Sequence, residues 1–308
     1  MGHPDLAVVT GAFGYTGGYI ARRLIDRGVR VRTLSRRPAG RSPLGALVET
    51  VPLDFSDPDG LCRSIEGAGV LYNTYWIRYA RGRMTFDRAV ENSGTLFEAA
   101  VRAGVGRIVH LSVSNPSHDS RLPYFRGKAQ VEEMLKGLGV SYAVIRPTLI
   151  YGGGDLLLNN IAWALRRFPV FLVYGSGDYP VQPVFVEDVA VQAVDAGSQG
   201  ENVVADAAGP EIFSFEELLR LLASAMGVRA RLVHAPPTLG LALTQLVGRV
   251  KGDLALTRDE VEGLMAGLLT SRGEPTGATK LSDWLKENAD GLGRSYVSEL
   301  RRNWRLSR

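Results

Sequence analysis

Along the first half of the chain, short β-branched apolar runs alternate with longer stretches whose apolar positions recur at helical spacing. Leu6–Val9, Val29–Leu34, Val48–Leu53, Val70–Asn73, Arg107–Leu111 and Ser141–Arg146 read as strands. Between them Thr16–Arg27, Pro58–Glu66, Phe86–Ala103 and Pro123–Leu138 read as helices, with Gly28, Gly104 and Gly139 placed as stops. Strands separated by helices of this length connect by right-handed crossovers into a mainly parallel sheet, which predicts a doubly wound α/β domain.

After Pro147 the rhythm loosens. Pro180–Val186 reads as a strand, Asp188–Ala196 as a helix capped by Asp188, and Asn202–Ala205 as a strand able to rejoin the sheet. From Pro210 the pattern is mostly helical, and Ser214 with Glu217 three residues on opens a helix to Met226 as a capping box. The expected division is a sheet domain over 1–152, rejoined by about 181–207, and a smaller helix-rich substrate lobe over 153–308 that covers the carboxyl ends of the strands.

Composition narrows the function classes. The 308 residues are 45% hydrophobic and 22% charged, ordinary for a globular chain with a large core. The net charge of +4 comes from arginines spread along the chain, with one short cluster at Arg301-Arg302-Asn303-Trp304-Arg305 that reads as a solvated tail. No concentrated basic, aromatic-interleaved patch marks a nucleic-acid groove. A single cysteine, Cys62, excludes a disulfide within the chain and fits a reducing cytoplasm. No leader is expected before Leu6–Val9, and Leu239–Val247 is too short to span a bilayer, reading instead as an amphipathic helix packed on the body. His3, His110, His118 and His234 show no metal-ligand spacing, so no metal site is expected.

Candidate chemistry begins behind the first strand. Residues 10–17 read TGAFGYTG. Gly11 permits a tight turn, Gly14 lets backbone approach a pyrophosphate, and Gly17 lets the following helix sit against the strand. The amides of Phe13, Gly14 and Tyr15 would then face phosphates at a helix start. About twenty residues on, where an NAD site usually carries an acidic residue, the second strand ends Ser35-Arg36-Arg37. Guanidinium groups there favour a 2′-phosphate, so NADP(H) is expected in preference to NAD(H). Asp54 and Phe55 end the third strand, where Asp54 would accept from adenine or cap the helix after Ser56.

A second motif, Tyr124-Phe125-Arg126-Gly127-Lys128, follows a strand ending Leu111-Ser112-Val113-Ser114. Pro123 suits the first turn of a helix, which puts Tyr124 and Lys128 on one face. A free tyrosine titrates near pH 10, too high for acid/base work at neutrality. An ammonium roughly 4 Å away, at an effective dielectric near 20, would contribute up to about 4 kcal/mol toward lowering it.

TGAFGYTG, LSVS, YFRGK and VIRPTLIYGGGD together resemble the successive landmarks of the short-chain dehydrogenase/reductase superfamily, in its extended and atypical branches, over roughly residues 5–210. The group containing bacterial NAD(P)H-binding proteins and the NAD(P)H-binding accessory subunit of respiratory complex I looks most similar. The resemblance implies a Rossmann domain with Tyr124 as acid/base, Lys128 holding the nicotinamide ribose, and Ser114 or Ser112 steadying the substrate oxygen. It also implies that Asn73, Thr74 and Tyr75 line the cofactor, and that Pro147, Leu149 and Ile150 flank the nicotinamide. Helices flanking such sheets often pair, so a homodimer is one expected assembly. Trp76, Arg78 and Tyr79, with Asn159, Trp163 and Gln182 from the second lobe, read either as a substrate lining or as packing. Gln182 stands where nucleotide-sugar enzymes tend to have a phosphate-binding arginine.

Three functions remain open on these grounds. The first is an NADPH-dependent oxidoreductase acting on a carbonyl or related small molecule. The second is a nucleotide-sugar epimerase or dehydratase with bound NAD, and the third a non-catalytic NAD(P)H-binding sensor or assembly protein.

Overall fold

The computed structural model describes residues 4–36, 42–253 and 256–300. The chain runs β1 (Leu6–Thr10), α1 (Tyr15–Asp26), β2 (Arg30–Ser35), β3 (Val48–Pro52), α2 (Pro58–Ile65), β4 (Val70–Asn73), α3 (Phe86–Arg102), β5 (Arg107–Leu111), α4 (Pro123–Gly137) and β6 (Ser141–Pro147). It continues through β7 (Leu149–Tyr151), α5 (Leu157–Arg167), β8 (Val170–Tyr174), β9 (Pro180–Val181), β10 (Pro183–Phe185), α6 (Val186–Gly197) and β11 (Val203–Ala207). Then follow β12 (Phe213–Ser214), α7 (Phe215–Ala225), β13 (Arg231–Ala235), α8 (Pro237–Lys251), α9 (Arg258–Met265) and α10 (Leu281–Asn288).

Two units result. Among the described residues, the first holds those of 4–147 and 189–206, the second those of 148–188 and 207–300. In this division the first segment ends at Pro147 and the returning segment covers 189–206. The first unit carries a seven-stranded sheet in the order β11-β6-β5-β4-β1-β2-β3, a Rossmann-like arrangement with parallel pairing from β6 through to β3. Burial follows position in the sheet: every residue of β1, β4 and β5 is buried, while edge strand β3 is mostly open. Leu71, Phe97, Ile108, Leu135 and Val144 centre one core, between the sheet and α2–α4. The strand order reverses between β1 and β4, and the crevice beyond their carboxyl ends is where open α/β sheets bind ligands.

The second unit has its own core, around Tyr151, Leu158, Val173, Val181, Leu218, Leu222 and Leu285. The expected helix-rich lobe is there, with three two-stranded sheets added: β7 with β10, β9 with β12, and β8 with β13. The expected strand Pro180–Val186 divides at Gln182 into β9 and β10, which join different sheets. Helix α6 starts at Val186, so Asp188 sits inside its first turn. Asp188 does not act as a cap. Its carboxylate accepts from the Ala278 (2.9 Å) and Thr279 (2.8 Å) N–H groups and ties the distant 278–279 segment down. Short apolar runs carry no period of their own, and partners this far apart in sequence are invisible to local pattern.

Candidate functional site

Gly11 leaves β1 at φ +71°, a region that glycine enters without strain. Thr33 on β2 holds the turn from the side, its hydroxyl donating to the Val9 carbonyl (2.8 Å) and accepting the Ala12 N–H (3.1 Å). The Gly14 N–H returns to the Gly11 carbonyl at 2.7 Å. A Cβ at Gly17 would lie 2.4 Å from that same carbonyl oxygen, so the turn and a side chain at 17 exclude each other. Helix α1 has no side-chain cap and no acidic residue in its first turn, a state it shares with α4, α5 and α8, whereas Asp57, Thr85, Ser214 and Thr257 close α2, α3, α7 and α9. The α1 opening thus keeps the positive end of its dipole uncompensated by any cap, which fits a pyrophosphate. Phe13 and Tyr15 are half-buried beside it.

The end of β4 is stitched to this turn. Thr10 Oγ1 donates to Asn73 Oδ1 (3.0 Å) and accepts the N–H groups of Thr74 (2.8 Å) and Tyr75 (3.1 Å), while Thr74 Oγ1 donates to the Thr10 carbonyl. Asn73 is fully buried; Oδ1 also accepts the Tyr75 N–H (3.0 Å), which leaves Nδ2 as donor to His110 Nδ1 (3.0 Å). The neutral His110 ring then carries its proton on Nε2. Burial, and next the Lys128 charge, push this histidine well below its ordinary pKa. The Asn73 amide is therefore engaged inside the sheet end rather than free to line a ligand.

Arg36 follows β2 exposed to solvent, and Ser35 beside it is half-buried. Arg37 lies outside the described residues. Burial raises the pKa of the Tyr75 hydroxyl, opposed by the hydrogen bond that Asn92 Nδ2 donates (2.8 Å) and by the charges of Arg36 and Arg88. The Phe55 ring packs on Tyr75 at 4.8 Å between centroids. Arg36, Phe55 and Tyr75, all three expected at the cofactor, gather at one end of the sheet, and Asn92, which sequence reading leaves aside, joins them. Asp54 is exposed and accepts from the Ser56 N–H (2.9 Å) and Oγ (2.6 Å), bonds that hold its carboxyl below the usual range. It does not cap α2; Asp57 does, through the Gly60 N–H at 2.8 Å.

Pro123 opens α4, and one face of that helix carries Tyr124, Lys128 and Glu132 at successive turns. The half-buried Tyr124 ring stands edge-on to Trp76, Phe86 and Phe125 at 6.1, 6.0 and 5.5 Å. Lys128 is 3% exposed. Its Nζ donates to the Leu111 carbonyl (2.6 Å) and lies 4.7 Å over the Trp76 ring. Burial pulls its pKa down to about 7, against the opposing pull of Glu132. Glu132, 2% exposed, accepts from Ser112 Oγ (2.5 Å) and from Arg146 Nε (3.0 Å) and Nη2 (2.5 Å). The Ser112 hydroxyl is therefore engaged with Glu132. Ser114 is buried with its N–H donating to the Pro147 carbonyl (2.9 Å). Glu132 escapes sequence reading, although an acid four residues past Lys128 on a helix is a legible signal. Tyr79 is buried and Arg78 half-buried.

The second unit's candidates are structural ties. Buried Gln182 donates from Nε2 to the Gly209 carbonyl (2.8 Å) and accepts the Ser271 N–H at Oε1 (2.8 Å). Asn159 donates to the Ser295 carbonyl (2.9 Å) and accepts the Gly293 N–H (3.1 Å), and Trp163 packs against Phe168 and Tyr296. Buried Leu149 and half-buried Ile150 lie on β7, with Ile150 opposite Val184 of β10. Among the described residues no cluster of His, Cys, Asp and Glu has the arrangement of a metal site, and no helix is long and apolar enough to cross a membrane.

The NmrA-like family model matches residues 4–162, the segment that contains the glycine turn, the β4 end and the Tyr124–Glu132 face. The chain belongs to the NmrA-like family. Subunit 9 of the NADH dehydrogenase [ubiquinone] 1 alpha subcomplex, mitochondrial, from Arabidopsis thaliana is 25% identical over 75% of this chain; the match spans 60% of that protein's length. The (4-alkanoyl-5-oxo-2,5-dihydrofuran-3-yl)methyl phosphate reductase of Streptomyces griseus is 27% identical over 93% of this chain and 99% of its own. Among solved structures, the triphenylmethane reductase of Citrobacter sp. superposes with a TM-score of 0.76 at 18% identity, covering 93% of this chain and 99% of that one, which shows a shared fold.

Proposed function

We propose that this NmrA-like protein is an NADPH-dependent reductase of a carbonyl or related small organic substrate, working in the cytoplasm. The observation that carries the reading is Lys128: a lysine held out of water, titrating near neutrality, one helical turn from Tyr124. Burial of an ammonium is unfavourable, and such perturbed groups concentrate at working sites. The full-length match to a protein named a reductase supports the same reading.

NADPH bound along the α1 opening would supply hydride. Tyr124 would then give a proton to the substrate oxygen, and the cationic form of Lys128 would hold the tyrosine ready to lose it. Arg36 would pair with the 2′-phosphate, with Phe55 and Tyr75 beside the adenine. Gln182, with both ends of its amide engaged, supports no diphosphate-sugar clamp. The test is NADPH oxidation with a panel of carbonyl compounds: Tyr124→Phe is expected to lower the rate by about a hundredfold or more. Arg36→Ala is expected to weaken NADPH binding roughly tenfold and leave NADH binding unchanged. Rates that survive Tyr124→Phe overturn the mechanism.

The similarity to complex I accessory subunits favours a second reading, an NAD(P)H-binding module without turnover. In that case Arg36→Ala still weakens NADPH binding, and no member of the panel is reduced.

A further inference from the structure

The outer face of α8 in the second unit is apolar. Leu239, Ala242, Leu243 and Leu246 recur there at helical spacing and are all exposed; the three leucines reach 53%, 43% and 54%. The opposite side of the helix is anchored. A Cβ at Gly240 would meet the Tyr174 ring at 2.7 Å, and the Tyr174 hydroxyl pairs with Thr244 Oγ1 at 2.6 Å. The leucine stripe is thus the outside of a fixed helix, and apolar surface so exposed marks a docking face.

Charge around the stripe says what docks. From Leu218 to Gly252 the chain has no aspartate or glutamate, while Arg220, Arg229, Arg231, Arg249 and Lys251 fall in that stretch. Arg220 is taken by Glu216. Arg229, Arg231 and Arg249 are exposed and form no ion pair among the described residues. On the following helix α9, Glu262 is paired with Arg258 and Glu260 is closed into its capping box. A second copy packed face to face would bring these guanidinium groups together without counter-charge. Exposed leucines followed on the same helix by Arg249, in a stretch of chain with unbalanced cations, instead match a surface that is apolar within and anionic at its boundary.

We propose that the α8 face docks on an anionic lipid surface. Leu239, Leu243 and Leu246 enter the boundary between headgroups and acyl chains, and Arg229, Arg231 and Arg249 meet the lipid phosphates. The association is peripheral and independent of the reductase reading.

Co-sedimentation of the intact chain with vesicles tests it, using phosphatidylcholine alone and phosphatidylcholine mixed with phosphatidylglycerol. Binding is expected to the mixed vesicles only, weakened about tenfold or more by Leu243→Asp and several-fold by Arg249→Gln, and to decline as salt rises. Both substitutions lie on the surface, and unchanged thermal melts would show the fold intact. Equal binding to both vesicle types, no binding to either, or binding indifferent to these substitutions overturns the proposal. So does a dimer, detected by light scattering, that Leu243→Asp dissolves.

Discussion

Both units hold satisfied polar side chains, Asn73 and Glu132 among them in the first, and they differ at one lysine. In the second, Gln182, Asn159 and Asp188 have their amides and carboxylate matched to backbone donors and acceptors, and each such group closes a long sequence separation. In the first, Lys128 is buried with its pKa drawn far below the ordinary lysine value. A fully satisfied polar group stabilises; a group held in an unfavourable state is a candidate for chemistry. The contrast marks Lys128 as a candidate where residue type alone does not.

The contrast can be broken most severely at Gly17. Gly17→Ala puts a Cβ against the Gly11 carbonyl, so the turn must open; overpacking of this kind costs roughly 1–3 kcal/mol or more. NADPH affinity measured by fluorescence is expected to fall at least tenfold, and full affinity in this variant would show that the turn is not the cradle.

Lys128 tests the other half of the comparison through pH. Its folded pKa of about 7 lies below its ordinary value of 10.5, so above pH 7 the unfolded chain binds more protons than the folded one. Stability from this group therefore rises between about pH 7 and 10.5 and is lost as pH falls through 7. The size is a few kcal/mol, bounded near 5 kcal/mol by the shift. Chemical denaturation at pH 6 and pH 9 is expected to show this gain in the native protein and not in Lys128→Met. Glu132→Gln removes the charge that opposes the depression, so the rise is expected to begin at lower pH.

A smaller effect is expected in the scaffold. Gln182→Leu leaves the Gly209 carbonyl and the Ser271 N–H without partners, at about 1–3 kcal/mol each if buried. The denaturation midpoint should drop while NADPH affinity stays unchanged. Loss of affinity at constant stability would move Gln182 from scaffold to site.

Much of the first unit is legible in sequence because its information is local. Strand and helix periods, the Gly11/Gly14/Gly17 spacing, the Ser214–Glu217 capping box and the Tyr124–Lys128 turn each involve neighbours within a few residues. The second unit's β8–β13 and β7–β10 pairs escape because short apolar runs do not announce distant partners. Asp54 and Asp188 mislead for a related reason: an aspartate near a helix start resembles a cap, and only the arrangement shows that Asp57 caps α2 and that Asp188 holds residues 278–279.

The sequence by itself therefore determined the parallel α/β order, the glycine turn and the Tyr124–Lys128 spacing on one helix face, because steric and periodic rules act along the chain. Only the tertiary structure decided which of those residues are engaged and which are held ready. Ser112 is bound by Glu132, Asn73 is locked to Thr10 and His110, and Lys128 is drawn out of water beneath Trp76. Burial and charge at a point depend on every segment packed around it, and that sum exists only in the folded chain.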